Sequence, residues 1–310
     1  MNFLIFAYWL RWNMEKTFFV ALCALLLIMT YSCRSEQIVT FGSEVSEIQI
    51  VRSQKRLGVG AARGVKRVVT YHMTHPDVPA SFEGFRIAFV SDLHYESLLK
   101  KKGLDNLVCL LNKLKPDVLL LGGDYQEGCE YVDPLFSTLS QVETTQGIYG
   151  VMGNNDYERC YDEIVRTMKH YGIHALEHRV DTLRLGDEQI LIAGVRNPFQ
   201  LSENGVSPTL SLSSGDFVVL LTHTPDYAED VDITHTDLVL AGHTHGGQVR
   251  ILGITPIINS HYGKRFLTGV TSNSFRIPVV VTNGVGTSRL PIRIGAPSEV
   301  VMVILHSACF

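Results

Sequence analysis

Short apolar runs that alternate with helix-type segments constrain the fold of this chain more than any other feature. Residues 85–90 form an apolar run of strand length, and residues 117–121 are almost continuously apolar. A continuous apolar strand is typical of a sheet that is covered on both faces. Between the two runs, residues 104–114 carry leucine and valine at three- and four-residue spacing, which predicts a helix. A helix at 132–139 and a strand at 147–152 continue the alternation, which therefore predicts βαβ units.

The second half of the chain is rich in further strand-type segments. Residues 182–185 and 189–193 flank Gly186 and Asp187 and predict a hairpin. The other predicted elements are a helix at 161–171 and strands at 217–221, 238–241, 279–281 and 300–305. We therefore expect an α/β protein, an α+β sandwich in which two packed mixed β-sheets are flanked by helices, with residues 71–310 as its single globular domain.

The N-terminal region predicts a targeting or anchoring segment. Residues 17–32 contain no charged residue and are followed directly by Cys33. This stretch is shorter than the roughly 20 apolar residues of a spanning helix, and it matches the apolar core of a signal peptide slightly better. Ser32 followed by Cys33 resembles a bacterial lipoprotein cleavage site. We interpret residues 1–33 as a signal peptide or membrane anchor, with a lipidated Cys33 and an uncleaved anchor as alternatives.

Residues 34–70 are polar and basic, which favours a linker to the globular domain. We expect the chain to be associated with a membrane through its N-terminus and to be exported, either at the periplasmic face or as a lipoprotein. Lys and Arg are sparse on both sides of the apolar segment, so charge does not decide its orientation. The cytoplasmic face of the membrane stays an alternative.

Charge and cysteine content argue against several other classes of protein. The chain has 27 Lys and Arg against 31 Asp and Glu, a formal charge of -4. It lacks the basic excess typical of nucleic-acid binding, so no nucleic-acid partner is expected. Six cysteines are too few for a disulfide scaffold. Cys109, Cys129, Cys160 and Cys309 have no close metal-type spacing, so we expect ordinary thiols rather than a zinc site.

Polar clusters follow the ends of five predicted strands. In chain order they contain Asp92 and His94; Gly123 and Asp124; Gly153, Asn154 and Asn155; His223; and Gly242, His243, His245 and Gly246. In α/β sheets the carboxyl ends of the strands meet in one crevice, so we expect these distant residues to lie together. Each cluster alone matches an ordinary turn or loop, so the prediction of a site depends on their common position at strand ends.

The residue types favour a pair of divalent cations. Two aspartates, four histidines and one amide provide oxygen and nitrogen ligands that suit Zn, Mn or Fe. Seven ligands exceed what one tetrahedral ion needs, whereas two ions that share a carboxylate would use them all. Glycines beside the ligands let the backbone turn closely around the ions. The predicted metal ligands are Asp92, His94, Asp124, Asn154, His223, His243 and His245.

The order of these motifs resembles the calcineurin-like metallophosphoesterase superfamily, in the bacterial branch that often carries N-terminal anchors or export signals. The family pattern D-x-H, G-D, G-N-H-[DE], H and G-H-x-H matches here at all but one position. The resemblance implies a β-sandwich with flanking helices and a metal-bridging hydroxide that attacks phosphorus. The implied ligands are Asp92, His94 and His245 for the first ion and Asn154, His223 and His243 for the second, with Asp124 as the bridge.

Asn155 is the position that departs from the family pattern, which has histidine there. The resemblance implies a catalytic role at this position, in contact with the phosphate and the leaving group. An amide donates hydrogen bonds but does not relay a proton near neutral pH, and losing general-acid help costs about 10² to 10⁴ in rate. We therefore expect Asn155 to leave an enzyme that prefers esters with low-pKa leaving groups or that recruits another group.

The predicted function is hydrolysis of a phosphoester that is carried by a small molecule or a lipid. One alternative is a membrane-associated pyrophosphohydrolase of a lipid precursor such as UDP-diacylglucosamine, because related phosphoesterases cleave it. Another is a metal-containing binding module with weak or no turnover, of which Asn155 would be the sign. Arg289 and Arg293 are either phosphate contacts or, as the simpler interpretation, members of surface ion pairs.

Overall fold

The computed structural model of the chain describes residues 37–41, 48–56 and 64–308. The chain divides into two compact units, Met1–Gln37 and Ile38–Phe310, and nearly all of the described residues belong to the second. The predicted apolar segment at 17–32 and Cys33 lie outside the described residues. Among the helices that the structure describes, none combines the length and apolar character needed to cross a bilayer.

The described residues form fourteen strands. They are β1 (Gln37–Phe41), β2 (Ile48–Arg56), β3 (Arg67–His75), β4 (Arg86–Val90), β5 (Val118–Leu121), β6 (Ile148–Gly150), β7 (Ile173–Ala175), β8 (Arg179–Leu185), β9 (Glu188–Gly194), β10 (Val218–Thr222), β11 (Leu238–Ala241), β12 (Gly269–Ser272), β13 (Pro278–Val281) and β14 (Glu299–Ser307). One sheet has the order β1-β2-β3-β14-β4-β5-β6-β7, and the other has the order β12-β13-β11-β10-β9-β8.

Parallel strands form the centre of both sheets. In the first sheet β4, β5, β6 and β7 run parallel, and β14 pairs parallel to β3 and antiparallel to β4. In the second sheet β9, β10, β11 and β13 run parallel, with β8 and β12 antiparallel at its two edges. Both sheets are therefore mixed, as the sequence predicted.

Short and medium helices connect the strands. They are α1 (Lys101–Leu114), α2 (Val132–Leu139), α3 (Asn154–Glu158), α4 (Tyr161–His170), α5 (Leu201–Asn204) and α6 (Tyr227–Asp230). The apolar spacing of α1 buries Leu104, Leu107 and Leu111 on one face. The helix ends at Lys115, whose backbone is left-handed, just before β5 begins.

Burial on both faces explains the continuous apolar runs. Phe89 of β4 belongs to the core between the sheets, with Val219 and Leu240 of the second sheet. Its neighbours Ala88 and Val90 point to the other face and belong to the core that includes α1, α2 and α4. Successive side chains of a strand point to opposite faces, so a strand covered on both sides is apolar throughout. The predicted sandwich of two mixed sheets with flanking helices is confirmed.

The structure differs from the sequence interpretation at residues 34–70. This region was expected to be a linker, yet it supplies β2 and the first part of β3 to the first sheet. Ile50 is fully buried, whereas Ser53 and Lys55 are exposed. Polar and charged side chains are usual on strands near a sheet edge, because backbone pairing does not depend on them and charge discourages further pairing. A polar composition therefore concealed the strand.

The structure also corrects one expectation about cysteine. Cys129 and Cys160 form a disulfide, so they are not the ordinary thiols that their spacing indicated, whereas Cys109 is a free and exposed cysteine. Cys129 precedes α2 and Cys160 precedes α4. The two helices pack on the same face of the first sheet, which brings together cysteines 31 positions apart.

Removing the disulfide should lower the stability of the domain. A crosslink between residues 31 positions apart restricts the unfolded chain enough to contribute about 4 kcal/mol. The double variant Cys129→Ser and Cys160→Ser should therefore unfold at lower denaturant concentration than the oxidised wild type. Cys109→Ser is the matched control and should unfold like the wild type. The same midpoint for the double variant and the wild type would contradict a stabilising disulfide.

Candidate metal centre

Strand register places several loops side by side. In the first sheet Val90, Leu121 and Gly150 are paired neighbours near the ends of β4, β5 and β6. In the second sheet Thr222 and Ala241 are paired at the ends of β10 and β11. The residues that follow these strands therefore emerge together at one edge of each sheet.

Three of the predicted ligands form one group. His245 Nε2 lies 3.3 Å from Asp92 Oδ1 and 3.3 Å from His94 Nε2. All three side chains are buried, and one donor atom from each lies within 4.8 Å of the other two. Asp92 and His94 follow β4, whereas His245 follows β11, so this group joins the two sheets. Its oxygen and nitrogen donors suit a divalent cation.

A second group lies beside the first. His243 Nδ1 lies 3.2 Å from His223 Nε2. Asp124 Oδ2 lies 3.5 Å from His223 Nε2 and also 3.5 Å from His94 Nε2. The Asp124 carboxylate is therefore placed between the two groups, where a ligand shared by two cations would lie.

Asn154 contributes a buried oxygen atom to the same place. Its Nδ2 donates a hydrogen bond to Asn155 Oδ1 at 3.0 Å, while its Oδ1 is buried without a hydrogen-bond partner among the described residues. An unpaired buried oxygen is costly, and a cation would satisfy it. The residue types of the seven predicted ligands and the distances among the six other than Asn154 thus fit a pair of divalent cations.

The backbone is left-handed at most of these ligands. Positive φ values occur at Asp92 (52°), His94 (39°), Asp124 (54°), His243 (66°) and His245 (53°). Such a backbone costs a residue other than glycine of the order of 1–3 kcal/mol, and it persists only where the surrounding structure holds it. Strain at five of seven predicted ligands is therefore an independent sign of a functional site.

Two glycines let the loops approach closely, as the sequence analysis expected. A Cβ atom at Gly153 would collide with the Asp124 carboxylate, and one at Gly242 would collide with the side chains of Ser91 and Asp92. Any larger residue would displace a predicted ligand at either position.

Hydrogen bonds from two histidines orient their rings. His94 Nδ1 donates to Glu127 Oε1 at 2.7 Å, and His223 Nδ1 donates to the Gly122 carbonyl at 2.7 Å. Because both partners are acceptors, Nδ1 carries a proton in each ring, and Nε2 is the nitrogen that faces the Asp124 carboxylate and can bind a cation once it has lost its own proton. Glu127 was not predicted from the sequence, since a glutamate three residues after Asp124 has no distinctive spacing.

Opposite charges stabilise one another at the second group. Burial alone would raise the pKa of Asp124, but nearby His223 and His94 lower it below its usual range. Burial alone would lower the pKa of His223, but the Asp124 carboxylate raises it to about 10. Burial and His223 together lower the pKa of His243 to about 3. Cation binding at this group is therefore expected to release a proton from His223.

Asp156 holds the two central loops together. Its carboxylate accepts hydrogen bonds from the backbone N–H groups of Asp124 at 2.7 Å, Gly153 at 2.8 Å and Tyr125 at 3.0 Å. Burial and the neighbouring Asp124 carboxylate raise the pKa of Asp156 to about 7. This role of Asp156 was not predicted from the sequence, because only the folded chain shows which backbone groups the carboxylate contacts.

A cleft of about 700 Å³ opens beside the ligands. Asn155 lines it, and its Nδ2 lies 3.5 Å from His94 Nδ1, so the amide is present where the resemblance implied a catalytic position. Arg289 also lines the cleft. Arg293 instead donates hydrogen bonds to the carbonyl groups of His245, Asn283 and Gly286. The interpretation of Arg293 as part of a surface ion pair is therefore wrong, because the side chain supports the loops.

The comparison with protein families agrees with this arrangement. The family model described as calcineurin-like phosphoesterase matches residues 85–247, which include all seven predicted ligands. The chain belongs to this family.

Several curated proteins are similar to this family member over most of its length. An uncharacterized metallophosphoesterase of Bacillus subtilis, YkuE, is 27% identical over 81% of this chain and 92% of its own length. The phosphodiesterase YaeI of Escherichia coli is 27% identical over 71% of this chain and 82% of its own length. A transmembrane protein with a metallophosphoesterase domain from Danio rerio is 28% identical over 81% of this chain, which spans 59% of the relative.

Replacing Glu127 should weaken cation binding. Glu127→Gln removes the carboxylate that holds the His94 ring, and loss of such a partner typically costs 10- to 100-fold in affinity. Titration with Mn or Zn in competition with a chelator would measure the effect. Glu158→Gln is the matched control, because it removes the same charge from an exposed residue that lines the same cleft. Equal affinity for Glu127→Gln and the wild type would refute this orienting role.

Proposed function

We propose that this member of the calcineurin-like phosphoesterase family is a dinuclear metal-dependent phosphoester hydrolase. The observation that carries the proposal is the Asp124 carboxylate, whose Oδ2 lies 3.5 Å from both His94 Nε2 and His223 Nε2. A carboxylate at equal distance from two histidine groups suits a ligand that two cations share. The name of the Escherichia coli relative, a phosphodiesterase, supports the same reaction class.

The two ligand groups divide between the proposed ions. Asp92, His94 and His245 would hold the first, and Asn154, His223 and His243 would hold the second, with Asp124 shared by both. When bound, Mn, Zn or Fe ions would polarise the phosphoryl group and supply hydroxide near neutral pH. The chain itself positions these ions through Glu127, the Gly122 carbonyl and Asp156.

Asn155 distinguishes this site from the family pattern. Its backbone N–H donates to Asp124 Oδ1 at 3.0 Å, which leaves the side-chain amide at the cleft. There the amide can donate a hydrogen bond to a phosphoryl oxygen, but it does not deliver a proton to the leaving group. We therefore propose that the enzyme acts best on esters whose leaving groups depart without protonation.

We also propose that the chain works outside the cytoplasm, held at a membrane by its N-terminal region. The disulfide between Cys129 and Cys160 supports an oxidising compartment, because such bonds are rare where thiols are kept reduced. The apolar composition of residues 17–32 supports a membrane or export segment.

Replacing Asp124 should abolish hydrolysis. Asp124→Asn keeps the shape of the side chain but removes the charge shared by the two groups. Turnover of p-nitrophenyl phosphate and of its bis-ester, with Mn or Zn supplied, should be lost while the circular dichroism spectrum is unchanged. Asp187→Asn, at the hairpin between β8 and β9, is the control that should retain activity.

Two results would count against the proposed enzyme. Equal turnover by the wild type and Asp124→Asn would show that the reaction does not depend on this centre. A wild-type protein that binds two ions by elemental analysis, yet turns over no ester on a broad panel, would favour the metal-containing binding module instead.

Restoring histidine at position 155 should raise activity on poor leaving groups. Asn155→His supplies a group that can donate a proton, which is worth about 10² or more in rate. The gain should be large for an alkyl phosphate and small for p-nitrophenyl phosphate, whose leaving group needs no proton. Asn155→Gln keeps an amide and is the control. Equal gains on both esters, or none on the alkyl ester, would show that proton delivery is not what limits this enzyme.

A further inference from the structure

Two loops beside the metal centre form one continuous surface, which we call the 250/290 surface and define as residues 249–258 and 288–295. The Arg250 N–H donates to the Ile294 carbonyl at 2.7 Å, and the Ile294 N–H donates to the Gln248 carbonyl at 2.9 Å. The Gln248 side chain also donates to the carbonyl groups of Ser288 and Leu290, at 3.0 Å each. The loops therefore hold each other in place.

The 250/290 surface exposes an unusual number of aliphatic side chains. Leu252 is 98% exposed at the tip of a turn that is closed by hydrogen bonds between Ile251 and Ile254. The exposed aliphatic residues of the surface are Ile251, Leu252, Ile254, Ile257, Leu290, Ile292 and Ile294. Scattered exposed aliphatic residues are ordinary, but a contiguous group marks a site of interaction.

The charge of this part of the chain has one sign. No Asp or Glu occurs in the sequence between Leu238 and Ser298, whereas Arg250, Lys264 and Arg289 do. Arg289 and Lys264 are exposed and Arg250 is half-buried. The acidic residues of the metal cleft come from other segments: Glu127 and Glu158 from loops of the first sheet, and Asp226 and Asp230 from the segment after β10. The apolar surface is thus accompanied by cationic residues alone within its own segment.

The surface adjoins the metal centre directly. A small cavity of about 150 Å³ is lined by Val249, Ile257 and Leu290 of the two loops, together with His245 of the metal centre. Arg289 lines both this cavity and the metal cleft. Anything that covers the 250/290 surface will therefore lie at the entrance to the cleft.

We propose that the 250/290 surface docks onto an anionic lipid bilayer. Aliphatic side chains on a protruding turn can enter the boundary between headgroups and acyl chains, while Arg250 and Arg289 remain at the level of anionic headgroups. A bilayer fits better than a protein partner because the aliphatic tips stand out from the surface, as Leu252 does, and the charged residues within the surface itself are all arginines. A chain tethered by its N-terminal segment would also meet the bilayer at high local concentration.

Docking would favour substrates that are carried by lipids in the same membrane. With the cleft mouth against the headgroups, a phosphoester carried on a lipid would reach the metal centre without leaving the membrane plane. This consequence for the substrate class rests on the proposed hydrolysis, whereas the docking itself does not.

Photocrosslinking of the full chain tests the docking. A benzophenone amino acid is placed at position 252 of the chain reconstituted into phosphatidylglycerol and phosphatidylcholine vesicles, and adducts are identified by mass spectrometry. Leu252 is nearly fully exposed, so the substitution should not affect folding. Lipid adducts are expected to dominate and to decrease when phosphatidylglycerol is omitted.

Position 275 is the matched control. Phe275 is 79% exposed in the turn before β13. Because β13 runs parallel to β11, this turn lies at the amino ends of the strands, whereas the metal centre lies at their carboxyl ends. The same benzophenone there should yield at least five-fold fewer lipid adducts. Equal adduct yields at the two positions, or no lipid adducts at position 252, would overturn the proposal. Adducts mainly to a second copy of the chain would overturn it in favour of a protein interface.

A kinetic comparison separates docking from hydrolysis. In the double variant Leu252→Ser and Ile254→Ser, hydrolysis of a vesicle-borne p-nitrophenyl ester of phosphatidic acid should fall at least five-fold, while turnover of soluble bis-p-nitrophenyl phosphate, which has the same leaving group, stays unchanged. An equal fall on both substrates, or an unchanged rate on the lipid, would refute the selection of lipid substrates. If the wild type hydrolyses neither substrate, the proposed function has failed, and the crosslinking result still decides whether the surface docks.

Discussion

The centre of this protein depends on a carboxylate that is buried between imidazole rings. Asp124 is almost fully buried, and its carboxylate stays ionised because His94 and His223 each lie 3.5 Å from the same oxygen. Removing one partner would leave an unpaired buried charge, which costs far more than the pair contributes. The two sheets are therefore linked by electrostatics as well as by their shared core, since His94 follows a strand of the first sheet and His223 a strand of the second.

The loops around this carboxylate adopt backbone conformations that they would not adopt alone. Five predicted ligands have positive φ, and the cost is met by contacts from more distant parts of the chain. Asp156 contributes three accepted hydrogen bonds, and Arg293 ties the loop of His245 to the segment between β13 and β14. The disulfide acts in the same region, because Cys129 follows the loop of Glu127 and Cys160 follows α3, which begins at Asn154.

Sequence patterns predicted most of the fold for an identifiable reason. Strands such as β5 are buried on both faces, so their apolar runs stand out, and α1 shows its buried face through the spacing of Leu104, Leu107 and Leu111. Strands that are only partly buried were not predicted, because burial does not select apolar residues along their whole length. The polar β2 was interpreted as linker, and the short β7 and β12 were not predicted at all. The pairing of Cys129 with Cys160 was also hidden, because it depends on how two helices pack.

For the site, the sequence by itself determined the chemistry: aspartate, histidine and amide side chains at strand ends, and an asparagine where the family has histidine. Those facts are local, since they need only the residue types and the strand that precedes each one. Tertiary structure alone decided that the Asp124 carboxylate lies between two histidine groups, that Glu127 orients His94, and that aliphatic loops border the cleft. These relations join residues far apart in the chain, and only the packing of the two sheets sets the distances between them.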